Sequence, residues 1–430
     1  MAMAEHDVRD DVADGPSFVM RAQEAAAEIR PLLAVTPLQK NAHLSERYGA
    51  QIYLKREDLT PVRSYKLRGA ANFFRHALKE RPDAREFVCA SAGNHAQGFA
   101  FAVAHHGVSG TVFMPTTTPA QKVHKTRTFG GSNVAIRLVG DTFDQSAEAA
   151  RAFCEEKGAV FVPPFDHPHI IEGQASVGLE ILDAMAEPPD MLVLPVGGGG
   201  LAAGVCQVFA ERAPHTEIVF VEPAGAPSFR KSLIAGQRVK LETIDTFVDG
   251  AAVALMGEHT FNALAHTDPA QVVLVPEDRL CETILEMLNI EGIVLEPAGA
   301  LEVDALRSLA PERLKGKRVV CVTSGGNFDF ERLPEVKERA MKAAGLKKYF
   351  VLRLPQRPGA LREFLDLLGP DDDIARFEYL KKSARNFGSI LLGVETTERG
   401  NFETLTARME AAGFVYRDIT EDEVVAGLLV

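Results

Sequence analysis

The chain of 430 residues is long enough for two or three domains and a sizeable core. Its 46% apolar and 25% charged residues exclude collagen-like, coiled-coil and wholly disordered architectures. A net charge of −12, with no basic tract, argues against a nucleic-acid partner and against binding to anionic membranes.

Residues 1–15, MAMAEHDVRDDVADG, are acidic and carry no apolar run, so they read as a disordered tail and not as a signal peptide. The body of the chain is expected over 16–335. From residue 85 onward short β-rich runs alternate with longer amphipathic ones. FVCA (87–90) precedes HAQGFAFAVAHHG, TVFMP (111–115) precedes AQKVHKTRTFGG, and VAIRLVG (134–140) precedes DTFDQSAEAARAFCEEKG. VFVPPF (160–165) precedes EGQASVGLEILDAM, and MLVLPV (191–196) precedes LAAGVCQVFAERA; IVFVE (218–222) and RVVCVTS (318–324) are further strands. Wholly apolar strands alternating with helices imply parallel sheets covered on both faces, an α/β doubly wound class in two parts. The smaller part is expected at about 55–165, inserted in the larger. Residues 191–210 hold no charge, yet Pro195 and Gly197–Gly200 would make a poor spanning helix; strand, glycine turn and helix fit better.

The pattern changes after 335. Residues 336–348 read as a charged linker, and 349–423 follow the order strand, helix, strand, strand, helix, strand of a ferredoxin-like α+β module. The five cysteines, Cys89, Cys154, Cys206, Cys281 and Cys321, form no CxxC pair, so buried thiols are expected and neither a zinc ribbon nor a disulfide framework.

Three loops follow apolar strands directly: SAGNH, GGGG and TSGGN. Parallel sheets place ligands at such strand ends. Gly197–Gly200 can wrap a phosphate with backbone N–H groups at a helix start. No Gly-Lys-Ser/Thr follows, so it is not a Walker loop. Two other readings stay open: a tight turn without a ligand, or a dinucleotide loop with Gly198, Gly200 and Ala203 and with Glu222 as the ribose acid. Lys66, taken alone, is a solvated surface residue.

Lys66 nevertheless stands inside KREDLTPVRSYKLRGA (55–70), followed in order by SAGNHAQG (91–98), LPVGGGGL (194–201), EPAGA (296–300) and TSGGN (323–327). This series resembles the pyridoxal-phosphate enzymes of the tryptophan-synthase-β type (fold type II), and most closely the biosynthetic threonine dehydratases. The terminal module likewise resembles their ACT-like regulatory domain, so the resemblance covers nearly the whole chain.

The resemblance implies pyridoxal 5'-phosphate held by Lys66, whose amine then removes the Cα proton; a pyridoxal ring supplies the electron sink that side chains lack. It implies Asn94 on the ring hydroxyl oxygen, Gly197, Gly198, Gly199, Gly200 and Leu201 on the phosphate, and Ser324 facing the ring nitrogen. A neutral serine there favours prompt β-elimination over a long-lived carbanion. The loop of Ser91, Ala92, Gly93 and His95 would receive the substrate carboxylate. Tyr65 either lines the ring pocket or is a packed aromatic; Glu296 either approaches the ring or only starts a helix. Racemising relatives carry a serine where Ala92 stands, so racemisation is not expected. No metal site is expected: Glu222 lacks a second carboxylate nearby, and His167 and His169 lack neighbours of matching type. The implied activity is deamination of L-threonine to 2-oxobutanoate and ammonia, with isoleucine as inhibitor and valine opposing it near Gln356–Leu361. The implied setting is a cytoplasmic homotetramer. A serine-preferring dehydratase and a dinucleotide-dependent oxidoreductase remain the alternatives.

Overall fold

In the computed structural model, which describes residues 16–380 and 387–422, the runs RVVCVT and MLVLP lie side by side at the centre of a six-stranded sheet. Its strands are β1 (Leu38–Lys40), β2 (Gln51–Arg56), β7 (Met191–Pro195), β8 (Glu217–Pro223), β9 (Val272–Val275) and β10 (Arg318–Thr323). They stand in the order β1-β2-β10-β7-β8-β9, all neighbours parallel except β1 against β2. Every residue of β7 is buried, because helices cover both faces, and each large aliphatic side chain so buried contributes about 1.5–3 kcal/mol.

Between β2 and β7 the chain builds a second parallel sheet, in the order β5-β4-β3-β6. Its strands are β3 (Glu86–Ala90), β4 (Ser109–Met114), β5 (Val134–Leu138) and β6 (Val160–Phe161). The run VFVPPF yields only two strand residues, since Pro163 and Pro164 have no N–H to donate to a ladder. The uncharged stretch 191–210 resolves into β7, a glycine turn and the helix Gly200–Arg212; among the described residues no helix is long and apolar enough to cross a membrane.

A third, antiparallel sheet has the order β12-β13-β11-β14, from β11 (Lys347–Pro355), β12 (Asp373–Leu380), β13 (Phe387–Glu395) and β14 (Val415–Asp418). With the helices Ala360–Leu365 and Gly400–Ala411 this is the ferredoxin-like arrangement, around its own core of Phe350, Leu352, Phe364, Leu392 and Phe402. The charged run ahead of it is a helix, Leu333–Ala343. Lys347 reaches back from β11 to Glu338 at 2.5 Å, and the Tyr349 hydroxyl donates to the same residue at 2.9 Å. The expected tail 1–15, the end of the expected strand at 381–382 and residue 423 lie outside the described residues.

Candidate active site

The helix Lys66–Glu80 starts where the chain leaves the large sheet, with Tyr65 as its N-cap. Two backbone contacts bring this start beside the TSGGN loop: Tyr65 N–H donates to Ser324 O at 3.2 Å, and Ser64 bridges Gly325. The helix is locked from below by Arg68, 1% exposed, which donates to both oxygens of Glu57 at 2.8 and 2.9 Å and to both of Glu180 at 3.0 and 2.8 Å. Lys55 adds a second cation on Glu180 at 2.6 Å. Gly98 lets the helix Asn94–His106 pack against this point, because a Cβ there would stand 3.2 Å from the Leu67 nitrogen.

Lys66 Nζ donates to Pro164 O at 2.9 Å and lies 5.3 Å from the Tyr65 ring centre and 5.8 Å from that of Phe165. Burial lowers its ammonium to about 8, against the opposing pull of Glu296. In cofactor-free protein, competitive acylation of Lys66 followed by peptide mass analysis should therefore titrate with a midpoint near 8; a midpoint near the ordinary 10.5 would contradict this environment. The Tyr65 ring, beside the Lys66 amine, also packs on the large-sheet core.

A chain of polar side chains leads to Glu296, whose charge acts on this amine. Asn327 donates to Val62 O at 2.8 Å and to Asn94 Oδ1 at 2.7 Å, and Asn94 in turn donates to Glu296 Oε1 at 2.5 Å. Burial, then the nearby Asp249, raises the Glu296 carboxyl to about 7 despite Asn94, Lys122 and Lys125. Glu296 does begin a helix, Pro297–Ala305, and its carboxyl also accepts from Asn94. Ser324 Oγ donates to Ala298 O at 3.2 Å, a long bond that a better acceptor can replace.

The glycine loop ends at Gly199, whose φ of +88° is the left-handed region that glycine alone enters without strain. The helix Gly200–Arg212 that follows has no side-chain cap, so its first N–H groups are open to an anion. A Cβ on Gly198 would stand 2.3 Å from the Phe165 ring, and Thr260 Oγ1 donates to Gly198 O at 2.7 Å. Leu201 is buried, and its backbone lies in the first turn. Glu222 is not a ribose acid here. Its oxygens accept from Phe229 N–H at 2.7 Å and Arg230 N–H at 2.9 Å, and it is fully buried.

The Ser91–His95 loop runs into the helix Asn94–His106, which also lacks a side-chain cap. Ser91 Oγ accepts from Gly93 N–H at 3.2 Å. The His95 ring is not available to a ligand: it pairs with Val162 O at 3.0 Å, and burial, with Lys66 nearby, lowers it to about 3. Only the His95 backbone can serve. Sequence reasoning missed Asn327, although it closes the TSGGN motif, and it missed Arg68, although it stands two residues after Lys66. It also missed the Pro164–Asp166 segment, where Asp166 accepts from Glu258 and Thr260 N–H groups at 2.8 and 3.2 Å and so braces the glycine loop; no local pattern marks that contact.

An uncapped glycine cradle for a phosphate, a buried amine tuned toward its free base and polar partners for a substituted ring fit pyridoxal phosphate. The comparisons agree. A family model for pyridoxal-phosphate dependent enzymes matches residues 29–325, and one for the C-terminal regulatory domain of threonine dehydratase matches 338–429. The biosynthetic L-threonine dehydratase of Bacillus subtilis (strain 168) is 47% identical over 95% of this chain and 96% of its own length. That of Halalkalibacterium halodurans is 45% identical over 94% and 96%. The processed threonine deaminase isoform 2 of Solanum lycopersicum superposes with a TM-score of 0.70 at 38% identity, covering 76% of this chain and 94% of that one. The chain therefore belongs to the pyridoxal-phosphate-dependent enzymes, in the line of the threonine dehydratases that carry a C-terminal regulatory domain.

Proposed function

We propose that the protein deaminates L-threonine to 2-oxobutanoate and ammonia, as the first step toward isoleucine. The observation that carries this reading is the Lys66 amine, buried at a helix start and lowered to about 8, facing the Asn94–Glu296 pair. Pyridoxal phosphate supplies the sink for the electron pair released when the substrate Cα–H bond breaks. Every other part belongs to the chain. Gly197–Gly200 and Leu201 would hold the phosphate through backbone N–H groups, Asn94 the ring hydroxyl oxygen, and Ser324 the ring nitrogen. Tyr65 and Glu296 line the pocket. The backbone of Ser91, Ala92, Gly93 and His95 would orient the substrate carboxylate, and Lys66 would take the Cα proton.

Steady-state formation of 2-oxo acid and ammonia from threonine and from serine tests the reading. Threonine should have the higher kcat/KM, by about 5–200-fold, the value of one methyl group in a fitted pocket. A preference for serine would favour the serine-dehydratase alternative, and no 2-oxo acid from either would refute the proposal. The dinucleotide alternative loses its acid, because Glu222 already holds the N-terminus of the helix Ser228–Ala235.

The C-terminal module would bind isoleucine as inhibitor, with valine opposing it, near Gln356–Leu361. Gln356 Nε2 supports that location, being a buried amide without a hydrogen-bond partner. Inhibition requires that isoleucine prefer the state with lower threonine affinity, with reciprocal coupling. Truncation after residue 344 should keep threonine turnover and abolish inhibition by isoleucine; a truncated enzyme still inhibited would overturn the assignment. The same reading places the enzyme in the cytoplasm as a homotetramer.

A further inference from the structure

The helix Lys66–Glu80 and the helix Pro168–Ala184 pack together, and on their outer side they bring His76, His169 and Glu172 into one cluster. Sequence spacing alone pairs His169 with His167, but His167 is engaged in capping its helix, its Nδ1 accepting from His169 N–H at 3.2 Å. The fold supplies the missing neighbour from the other helix. The His76 and His169 rings lie 3.7 Å apart between centres. His169 Nδ1 stands 3.2 Å from Glu172 Oε2, His76 Nε2 stands 4.0 Å from the same oxygen, and all three ligand atoms fall within 4.8 Å of one another.

From these contacts we infer that His76, His169 and Glu172 form a site for a Zn2+-class divalent transition cation that ties the two helices together. Zinc–ligand bonds of about 2.0–2.1 Å in a tetrahedron put ligand atoms roughly 3.4 Å apart. One of the measured pairs already meets that spacing and the second lies outside it; the two rings, now parallel within 3°, must rotate out of their stack to aim both nitrogens at one cation. Two imidazoles and a carboxylate suit zinc, with the fourth position open to water.

Two of the surrounding carboxylate contacts suit a metal site. Arg21 donates to Glu172 Oε1 at 2.8 Å, which fixes the carboxylate and leaves Oε2 turned to the rings. Glu80 Oε1 lies 3.6 Å from His169 Nε2, the place of the carboxylate that steadies a ligating histidine through its other nitrogen. One contact must give way: Arg75 NH2 sits 2.7 Å from His76 Nε2. Arg75 has other acceptors through Nε, which donates to Asn72 Oδ1 at 3.1 Å, and through NH1, which donates to Glu24 Oε1 at 2.8 Å.

The position has a consequence for the active site. One helix begins at Lys66, and the other is entered through Pro164–Asp166, which receives the Lys66 amine and braces the glycine loop. A cation across them would hold the two flanks of the site at a fixed separation.

The test uses the untagged, cofactor-loaded full chain, stripped with a chelating resin and titrated with Zn2+ against a chromophoric chelator. One Zn2+ per chain is expected, weakened by about 100-fold in His76→Ala and in His169→Ala, and weakened again in Glu172→Gln. Zn2+ should raise the melting temperature of the wild type only, and Co2+ should give the intense visible bands of tetrahedral coordination. All three substitutions should leave zinc-free threonine turnover in place. No stoichiometric uptake, or uptake equal in wild type and the His76→Ala/His169→Ala double variant, would overturn the inference.

Discussion

Replacing Arg68 with methionine is expected to destabilise the catalytic region by about 3–5 kcal/mol, the range for removing one partner of a buried ion cluster. Arg68 is enclosed and answers two carboxylates at once; without it Glu180 would keep Lys55 and the partly exposed Arg30, and Glu57 the Thr36 hydroxyl. Burial by itself raises Glu180, yet Arg68 and then Lys55 outweigh it and hold the carboxyl at about 2. A depressed carboxyl stabilises the fold above its ordinary value of 4.5, and that contribution is lost as pH falls from 4.5 through about 2. Urea unfolding at several pH values should show this acid limb in the wild type and a shallower one in Arg68→Met. An unchanged midpoint at neutral pH would mean that the cluster is not what fixes the lysine helix. Arg68→Lys should recover only part of the loss, since a point charge cannot answer Glu57 with a two-pronged bond.

Lys66→Ala is expected to lower threonine turnover by about 10^4-fold, the upper range for a positioned proton-transfer group. It should do so without weakening the cofactor-free fold. The folded state holds the proton less tightly than the unfolded chain, because burial lowers the ammonium from 10.5 to about 8. A base lowered in this way penalises folding at neutral pH, and the penalty fades as pH rises from about 8 to 10.5. The alanine variant should therefore be at least as stable as the wild type at pH 7, and its advantage should vanish at high pH. Lost turnover combined with lost stability would instead assign Lys66 a structural role. On the proposed reading, the pairing of these two substitutions separates functions that sit two residues apart: Arg68 would hold the helix, and Lys66 would do chemistry at its start.

Much of this was legible before any coordinates, and for a physical reason. Strands buried on both faces, such as MLVLP and RVVCVT, must be apolar throughout, so their alternation with helices announces parallel sheets. Glycine runs where backbone must approach an anion are equally visible, because only glycine admits the φ of Gly199 or the closeness of Gly198 to Phe165. What stayed hidden depends on long-range contact. The strand QIYLKR carries two charges, and only the fold shows Lys55 buried against Glu180, 125 positions away. The two prolines that cut β6 short also carry the carbonyl that receives the Lys66 amine. His95 reads as a ligand-binding histidine in SAGNH, yet its ring is consumed by Val162 O. The partner of His169 lies 93 positions earlier, on a helix that spacing rules cannot connect to it.

The claim that unites the site is that one amine, that of Lys66, receives pyridoxal phosphate. Borohydride reduction of the cofactor-loaded protein, followed by proteolysis and mass spectrometry, tests it directly. The account predicts the reduced cofactor on the peptide containing Lys66, and no labelled peptide from Lys66→Ala. Label on a different lysine, or equal labelling of the alanine variant, would contradict it.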